Sequence, residues 1–289
     1  MTTHSNEYSV LAAAIALLIT TSTIAGTYDP QVGQPGSLGI PDTSSSFTEW
    51  ASSVVSINRG PENIANPSLG LASFGDPTNA LGSPVGASTT TRVVSLGDGG
   101  SITLGFNKPI TNGPGSDFAV FENGFLSGGV GQAFLELATV AVSSDGVNFF
   151  TFPAVSETQT TTQVGGFGLL DASNLYDLAG KYIAGYGTGF DLSELANVSP
   201  LLNVNDITQV KITDVVGSID PQYGTKDSLG NLINDPWTTP FNSSGFDLNA
   251  VGVINQVPEP TGLVIGLTGA ALTLVTLIRR TRHAPSRQE

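Results

Sequence analysis

Short apolar runs separated by turn residues dominate the chain between residues 91 and 255. In one of them Ile102, Leu104 and Phe106 occupy alternate positions, as expected of a strand that buries one face. The 35 glycines of the chain, with Pro, Asn and Asp, supply turns between the runs. Strand character is found in residues 91–97, 101–107, 117–125, 134–144, 147–153, 206–217 and 245–255.

This pattern predicts a mainly β fold, an antiparallel jelly-roll-like β-sandwich over residues 48–256. Two Asp-Gly pairs, Asp98-Gly99 and Asp145-Gly146, lie between apolar runs and predict hairpins, because glycine accepts the positive φ that such turns require. Residues 169–186 and 191–197 predict a helical turn or two. Residues 26–47 are rich in Gly, Pro and Ser and predict an irregular leader, laid on the surface or left loose.

Composition excludes several kinds of chemistry. The chain has no cysteine, and its two histidines, His4 and His283, lie near its ends. The body therefore has no thiol or imidazole for a nucleophilic triad or an ordinary zinc site. A formal net charge of -14 opposes nucleic-acid binding. A carboxylate pair is the remaining route to catalysis, and no motif singles one out among 24 acids, so we expect no enzyme activity.

Both ends of the chain carry apolar segments. Residues 1–25 predict a signal peptide that signal peptidase removes, with a retained anchor or a buried helix as alternatives. Residues 261–278 contain no charge and would span roughly 27 Å as a helix, enough to cross a membrane. The stop-transfer arginines Arg279, Arg280 and Arg282 begin a basic tail, residues 279–289, which we expect in the cytoplasm with the body outside.

The segment before this helix carries a specific resemblance. Val257, Pro258, Glu259 and Pro260, followed by an apolar helix and an arginine cluster, resemble the PEP-CTERM sorting signal of exported bacterial proteins. The resemblance implies that an exosortase, an integral membrane protease, recognises the motif and cleaves near it. The protein would then pass to the cell surface or an exopolysaccharide matrix. A single-pass anchor that is never cut is the alternative.

The body resembles a second, poorly characterised group of bacterial cell-surface proteins. The resemblance rests on "VVSLGDGGSITLGF", "DFAVFENGF", "VAVSSDGVNFFTFP" and "SGFDLNAVGVIN". It implies an extracellular β-sandwich that is similar in outline to carbohydrate-binding modules, and it implies no particular activity or ligand.

Two kinds of binding residue are predicted in the body. Acidic and amide side chains beside glycine turns at strand ends suggest a Ca²⁺ site, with ordinary turn residues as the alternative; they are Asp117, Glu122, Asn123, Asp145 and Asp247. Trp237, in a Pro- and Thr-rich loop, is predicted to stack on a sugar ring, with packing at the end of the sandwich as the alternative.

Three functions are open on these grounds. The first is an exported structural or interaction protein of the cell surface or matrix, whose partners are the exosortase, signal peptidase, the membrane and exopolysaccharide. The second is a carbohydrate-binding module, with or without bound Ca²⁺. The third is a carboxylate-based hydrolase.

Overall fold

A computed structural model describes residues 26–84, 86 and 91–258. These residues form sixteen β-strands and four short 3₁₀ helices. The helices are Pro67–Leu69, Pro77–Ala80, Ala172–Asn174 and Leu192–Leu195. The strands are β1 (Ile40–Pro41), β2 (Glu49–Trp50), β3 (Ser53–Asn58), β4 (Val94–Ser95), β5 (Ser101–Ile110), β6 (Phe118–Glu122), β7 (Phe125–Leu126), β8 (Gln132–Phe134), β9 (Ala138–Ser143), β10 (Phe150–Thr151), β11 (Val155–Ser156), β12 (Leu170–Asp171), β13 (Leu175–Tyr176), β14 (Tyr186–Phe190), β15 (Ile207–Asp214) and β16 (Asp247–Val253).

Two larger sheets organise the body. The first has the order β1-β14-β6-β16-β2, and β4 also pairs with β16; the second has the order β10-β9-β15-β5-β3. Smaller sheets are formed by β11 with β13 and by β12, β8 and β7. The strand pairs of these sheets are antiparallel, so the prediction of a mainly β, antiparallel fold is confirmed.

One core cluster contains buried side chains from both larger sheets. The second sheet contributes Ile102 and Leu104 from β5, while Phe118 and Phe190 come from β6 and β14 of the first. Phe118 and Phe190 stack with ring centroids 5.3 Å apart, and Phe152 packs on both. Strands β6 and β16 are buried on both faces because a second apolar cluster covers the opposite face.

The two predicted hairpins have different outcomes. At Asp145-Gly146 the hairpin is confirmed, since β9 and β10 pair on either side of it. At Asp98-Gly99 the chain does turn, and Gly99 has a φ of 67°. The flanking strands nevertheless separate, because β4 pairs with β16 in the first sheet and β5 joins the second. This hairpin prediction was wrong: an Asp-Gly pair specifies the turn and leaves the partner of the following strand open.

The leader is packed on the body and is not loose. Strand β1, within residues 26–47, pairs with β14. The side chain of Gln31 is fully buried and donates to the carbonyl of Lys181 at 3.1 Å. The Lys181 Nζ lies 2.5 Å from Asp29 Oδ1, and the Tyr182 hydroxyl donates to the same carboxylate. These contacts join the leader to the segment that precedes β14.

Several sequence predictions lie outside the described residues: the signal peptide 1–25, Glu259 and Pro260 of the sorting motif, the apolar helix 261–278, and Arg279, Arg280 and Arg282. In the part of the chain that the structure describes, no helix has the length and apolar character needed to cross a membrane. The first residue of the motif, Val257, is still held by the body, because its backbone N–H donates to the carbonyl of Pro109 at 3.2 Å.

Candidate functional site

A cavity of about 370 Å³ opens where the start of β16 meets the end of β6, and it is large enough for a small ligand. Segments that are far apart in the sequence line it, among them β7, β8 and the loops before β12 and β16. Its aromatic residues are Phe74, Phe125, Phe134, Phe167 and Phe241, and its other lining residues are Asn123, Glu136, Gly166, Thr239, Asn242, Ser243 and Asp247.

Four of the phenylalanines form a continuous aromatic rim. Phe125 and Phe134 face each other across the β7–β8 ladder, with stacked rings 5.2 Å apart. Phe167 lies 6.3 Å from Phe134 and 6.0 Å from Phe241. Phe125, Phe167 and Phe241 are 54%, 75% and 47% exposed. Such a concentration of large apolar rings at the mouth of a cavity that also contains polar groups is typical of a binding surface.

Below the rim lie carboxyl groups that the fold leaves with free acceptor capacity. Glu136 lines the cavity, is 7% exposed, and its carboxyl group forms no hydrogen bond with the described residues. Glu122 ends β6, next in sequence to the lining residue Asn123; its Oε2 accepts from the backbone N–H of Gly124 at 2.6 Å, and its Oε1 has no partner among the described residues. Burial raises the pKa of Glu122 and of Glu136 well above its ordinary value, and the neighbouring Asp247 carboxylate adds to both shifts.

Asp247 is the better-satisfied carboxyl group of the cavity. It accepts hydrogen bonds from the Ser95 hydroxyl and, at 2.9 Å, from the Asn123 side-chain amide. Burial raises the pKa of Asp247 to about 6, although these hydrogen bonds and the charge of Arg59 favour its ionised form. The floor of the cavity therefore combines the Asn123 amide with buried carboxyl groups, of which Asp247 changes protonation near pH 6.

Two further buried acids fix the segments that carry the cavity. Asp214, at the end of β15, accepts from the backbone N–H groups of Gly99 and Phe246 at 2.8 and 2.6 Å. Asp235 accepts from the backbone N–H of Leu137 at 3.0 Å. Burial raises the pKa of both well above the ordinary value. Because these acids bind backbone amides, they position the start of β16 and the segment after Glu136.

No family model matches this chain, and no curated protein matches it either. Its function is therefore inferred from the geometry and chemistry of the cavity, because an antiparallel β fold serves many unrelated activities.

The structure divides the predicted calcium ligands. Glu122, Asn123 and Asp247 lie together because antiparallel pairing places the start of β16 beside the end of β6. Asp117 precedes the other end of β6, and five residues of strand separate it from Glu122 by roughly 16 Å. The five predicted ligands therefore do not meet in one site. Among the described residues, no group of three or more acidic side chains is arranged to hold a metal ion.

Asp145 and Trp237 lie elsewhere. Asp145 is an exposed turn residue that accepts from the backbone N–H groups of Val147 and Asn148, each at 2.8 Å. These hydrogen bonds lower the pKa of Asp145. Trp237 is partly buried, its indole N–H donates to Asp98 at 3.0 Å, and its ring stacks on that of Tyr223. It is not part of the cavity lining.

Sequence reasoning missed the central residues of this site. Glu136 lies within the run 134–144, where it reads as one polar residue of a strand. The rim phenylalanines come from four segments and share no motif. The available signal was the stretch "DFAVFENGF", whose end places Asn123 beside an exposed Phe125.

Proposed function

We propose that this chain is an exported interaction protein of the bacterial cell surface or extracellular matrix and that its cavity binds a glycan. The observation that carries the proposal is the aromatic rim, with three exposed phenylalanines above a floor of amide and carboxyl groups. Aromatic rings pack against the apolar faces of sugars, while carboxyl and amide groups bind their hydroxyls. The aromatic rim therefore favours the second function predicted from the sequence, a carbohydrate-binding module.

The rim supplies the first test. We expect Phe167→Ala and Phe241→Ala each to weaken glycan binding about tenfold, since a lost aromatic contact is worth roughly 0.5–1.5 kcal/mol and buried ring area is lost with it. Both rings are largely exposed in the free protein, so the unfolding temperature should change little. Glycan arrays identify the ligand, and isothermal titration calorimetry measures the affinity.

Tyr186→Ala is the control, because Tyr186 is also an exposed aromatic residue, 37% exposed in β14, and lies outside the cavity lining. Repeating the arrays with EDTA tests whether calcium contributes to binding. Equal binding by the wild-type protein and both rim variants would contradict the assignment of the cavity.

We also propose the finer architecture and the route of export. A jelly-roll-like sandwich is supported by two antiparallel sheets that share one core cluster. Signal peptide 1–25 would direct export. The PEP-CTERM signal, formed by the motif Val257 to Pro260 and the membrane segment 261–278, would then direct sorting to the cell surface. Because Val257 is the last of the described residues with a hydrogen bond to the body and is 38% exposed, cleavage just after it would leave the contacts of the described domain intact.

Export and sorting are tested by the mass of the mature protein. In a bacterium that produces an exosortase, we expect a released form that begins at Gly26 and ends near the motif. Glu259→Ala should abolish the C-terminal cleavage and leave the protein in the membrane fraction, whereas Glu62→Ala, outside the motif, should be processed normally. Intact-protein mass spectrometry distinguishes these forms, and a mature protein that retains residues 261–289 would support the uncut anchor instead.

A carboxylate hydrolase is the second candidate. Glu136 and Asp247 line the same cavity, and burial raises the pKa of Glu136, as a general acid requires. Release of reducing ends from a bound glycan by the wild-type protein, and its loss in Glu136→Gln, would favour this function over binding alone.

A further inference from the structure

The carboxyl groups beneath the aromatic rim lack partners that the fold itself could have supplied. The side chain of Glu136 is only 7% exposed, which makes it more than nine-tenths buried. It lines the cavity and forms no hydrogen bond to the described residues. The fully buried Glu122 Oε1 also has no partner among them. Buried acceptors are almost always satisfied in native proteins, so the unpartnered carboxyl group of Glu136 in the cavity wall points to a ligand that supplies the missing donor.

The charge around these groups defines the ligand further. The charges that most affect Glu136 are carboxylates: Asp247, Glu122, Asp235 and Asp214. The cation that acts on Asp247 is Arg59, whose guanidinium already donates to the carbonyls of Phe74, Gly75 and Ser95. The cavity floor is thus strongly acidic, with its neighbouring arginine committed to backbone carbonyls.

The aromatic rim then distinguishes an organic cation from a metal ion. Calcium and magnesium require six or more oxygen ligands, and the described residues contain no cluster of three acids arranged for a metal. Phenyl faces attract ammonium groups through their quadrupole, especially where water is excluded. Stacked Phe125 and Phe134, with Phe167 and Phe241, line the same cavity as Glu136 and Asp247.

We propose that the cavity binds a positively charged ammonium group, carried by a sugar with a free amine, between the phenylalanine rim and the carboxylates of Glu136 and Asp247. This inference rests on the proposed glycan binding and names its substrate class. Bound cation favours the ionised form of each carboxyl group, so protons leave the protein when the ligand enters. The charged groups that influence the protonation of Glu136 and Asp247 are Glu122, Asp214, Asp235, Arg59 and these two carboxyl groups themselves.

Two pairs of probes test the inference by isothermal titration calorimetry. The first pair is a glucosamine oligomer and an N-acetylglucosamine oligomer of equal length. The second is choline and dimethylbutanol, its neutral carbon isostere. We expect the charged member of each pair to bind at least about tenfold more tightly, since removing a desolvated charge contact changes affinity by that order. Choline binding should release protons and strengthen as the pH rises.

Glu136→Gln should reduce the affinity for both charged probes about tenfold and change that for the acetylated oligomer less than about twofold. Glu62→Gln is the control, because it removes the same charge outside the cavity lining.

Equal binding of the two oligomers, unaffected by Glu136→Gln, would overturn the ammonium site and leave glycan binding standing. Choline binding without any oligosaccharide binding would support the site and reject the glycan. Calcium binding that excludes choline would reject the organic cation, and no binding of choline or the glucosamine oligomer would reject the inference.

Discussion

Raising the pH from about 5 to about 8 should lower the unfolding temperature by roughly 10 °C. Burial raises the pKa of Asp247 from 3.8 to about 6 and that of Asp177 from 3.8 to about 8, and it raises the pKa of Glu122, Glu136 and Asp214 as well. Between its unfolded and folded pKa, each group holds its proton in the folded protein and loses it in the unfolded chain. Rising pH therefore favours unfolding throughout this window.

The magnitude follows from the best-defined group. The Asp247 shift from 3.8 to about 6 corresponds to about 3 kcal/mol of stability that is present below its unfolded pKa and lost above pH 6. Because the pKa of Asp177 is raised to about 8, the loss of stability with rising pH continues up to about pH 8. Hydrogen bonds lower the pKa of Asp76 and Asp145, so these groups act in the opposite direction and only below their ordinary range. The maximum of stability is therefore expected at mildly acidic pH.

Glu136→Gln isolates one buried group from the rest. Glutamine matches the protonated carboxyl group in shape, so stability near pH 4 should change little, whereas near pH 8 the variant should be the more stable by at least about 1 kcal/mol. Asp206→Asn removes the same charge at an exposed position and should follow the wild-type profile. Thermal melts should use acetate and phosphate, because an amine buffer is itself a cation for the proposed site. An unfolding temperature that rises between pH 5 and pH 8 would contradict the protonated state of these acids.

The strand pattern was the most predictable part of the fold. Each of the seven apolar runs contains a strand, namely β4, β5, β6, β9, β10, β15 and β16. Two turns predicted within residues 169–186 and 191–197 also occur as 3₁₀ helices. Strand β14 was not predicted, because its sequence "YGTGF" contains two glycines, which are uncommon inside strands. Gly187 is nevertheless required there, because its backbone packs against the ring of Phe121 and leaves no room for a side chain.

Tertiary placement limited the prediction of the site. In a regular strand, the adjacent residues Glu122 and Asn123 would point to opposite faces. The ladder between β6 and β16 is irregular between Leu248 and Ala250, and β6 ends at Glu122, so both side chains reach Asp247 or its surroundings. No local pattern reveals this meeting, because it depends on which strand pairs with β6 and in which register.

Asp117→Ala should lower the free energy of unfolding by roughly 3–6 kcal/mol. The carboxylate of Asp117 is fully buried and accepts from the backbone N–H groups of Gly113 and Leu192 at 2.7 and 2.8 Å, and from the Asn255 amide at 2.8 Å. Alanine leaves three donors without a partner in the protein interior, and each lost acceptor costs about 1–3 kcal/mol. The residue predicted as a calcium ligand thus ties the start of β6 to the segments around β14 and β16.

Urea denaturation measures this loss, and Asp117→Asn provides the matched control. Asparagine keeps one acceptor oxygen and turns an amide donor toward the remaining N–H groups, so its stability should lie between those of the wild-type protein and the alanine variant. Addition of CaCl₂ or EDTA should leave the transition of all three proteins unchanged, since the donors around Asp117 are hydrogen-bonded to it and bind no cation. A calcium-dependent increase in stability that Asp117→Ala abolishes would restore Asp117 as a metal ligand.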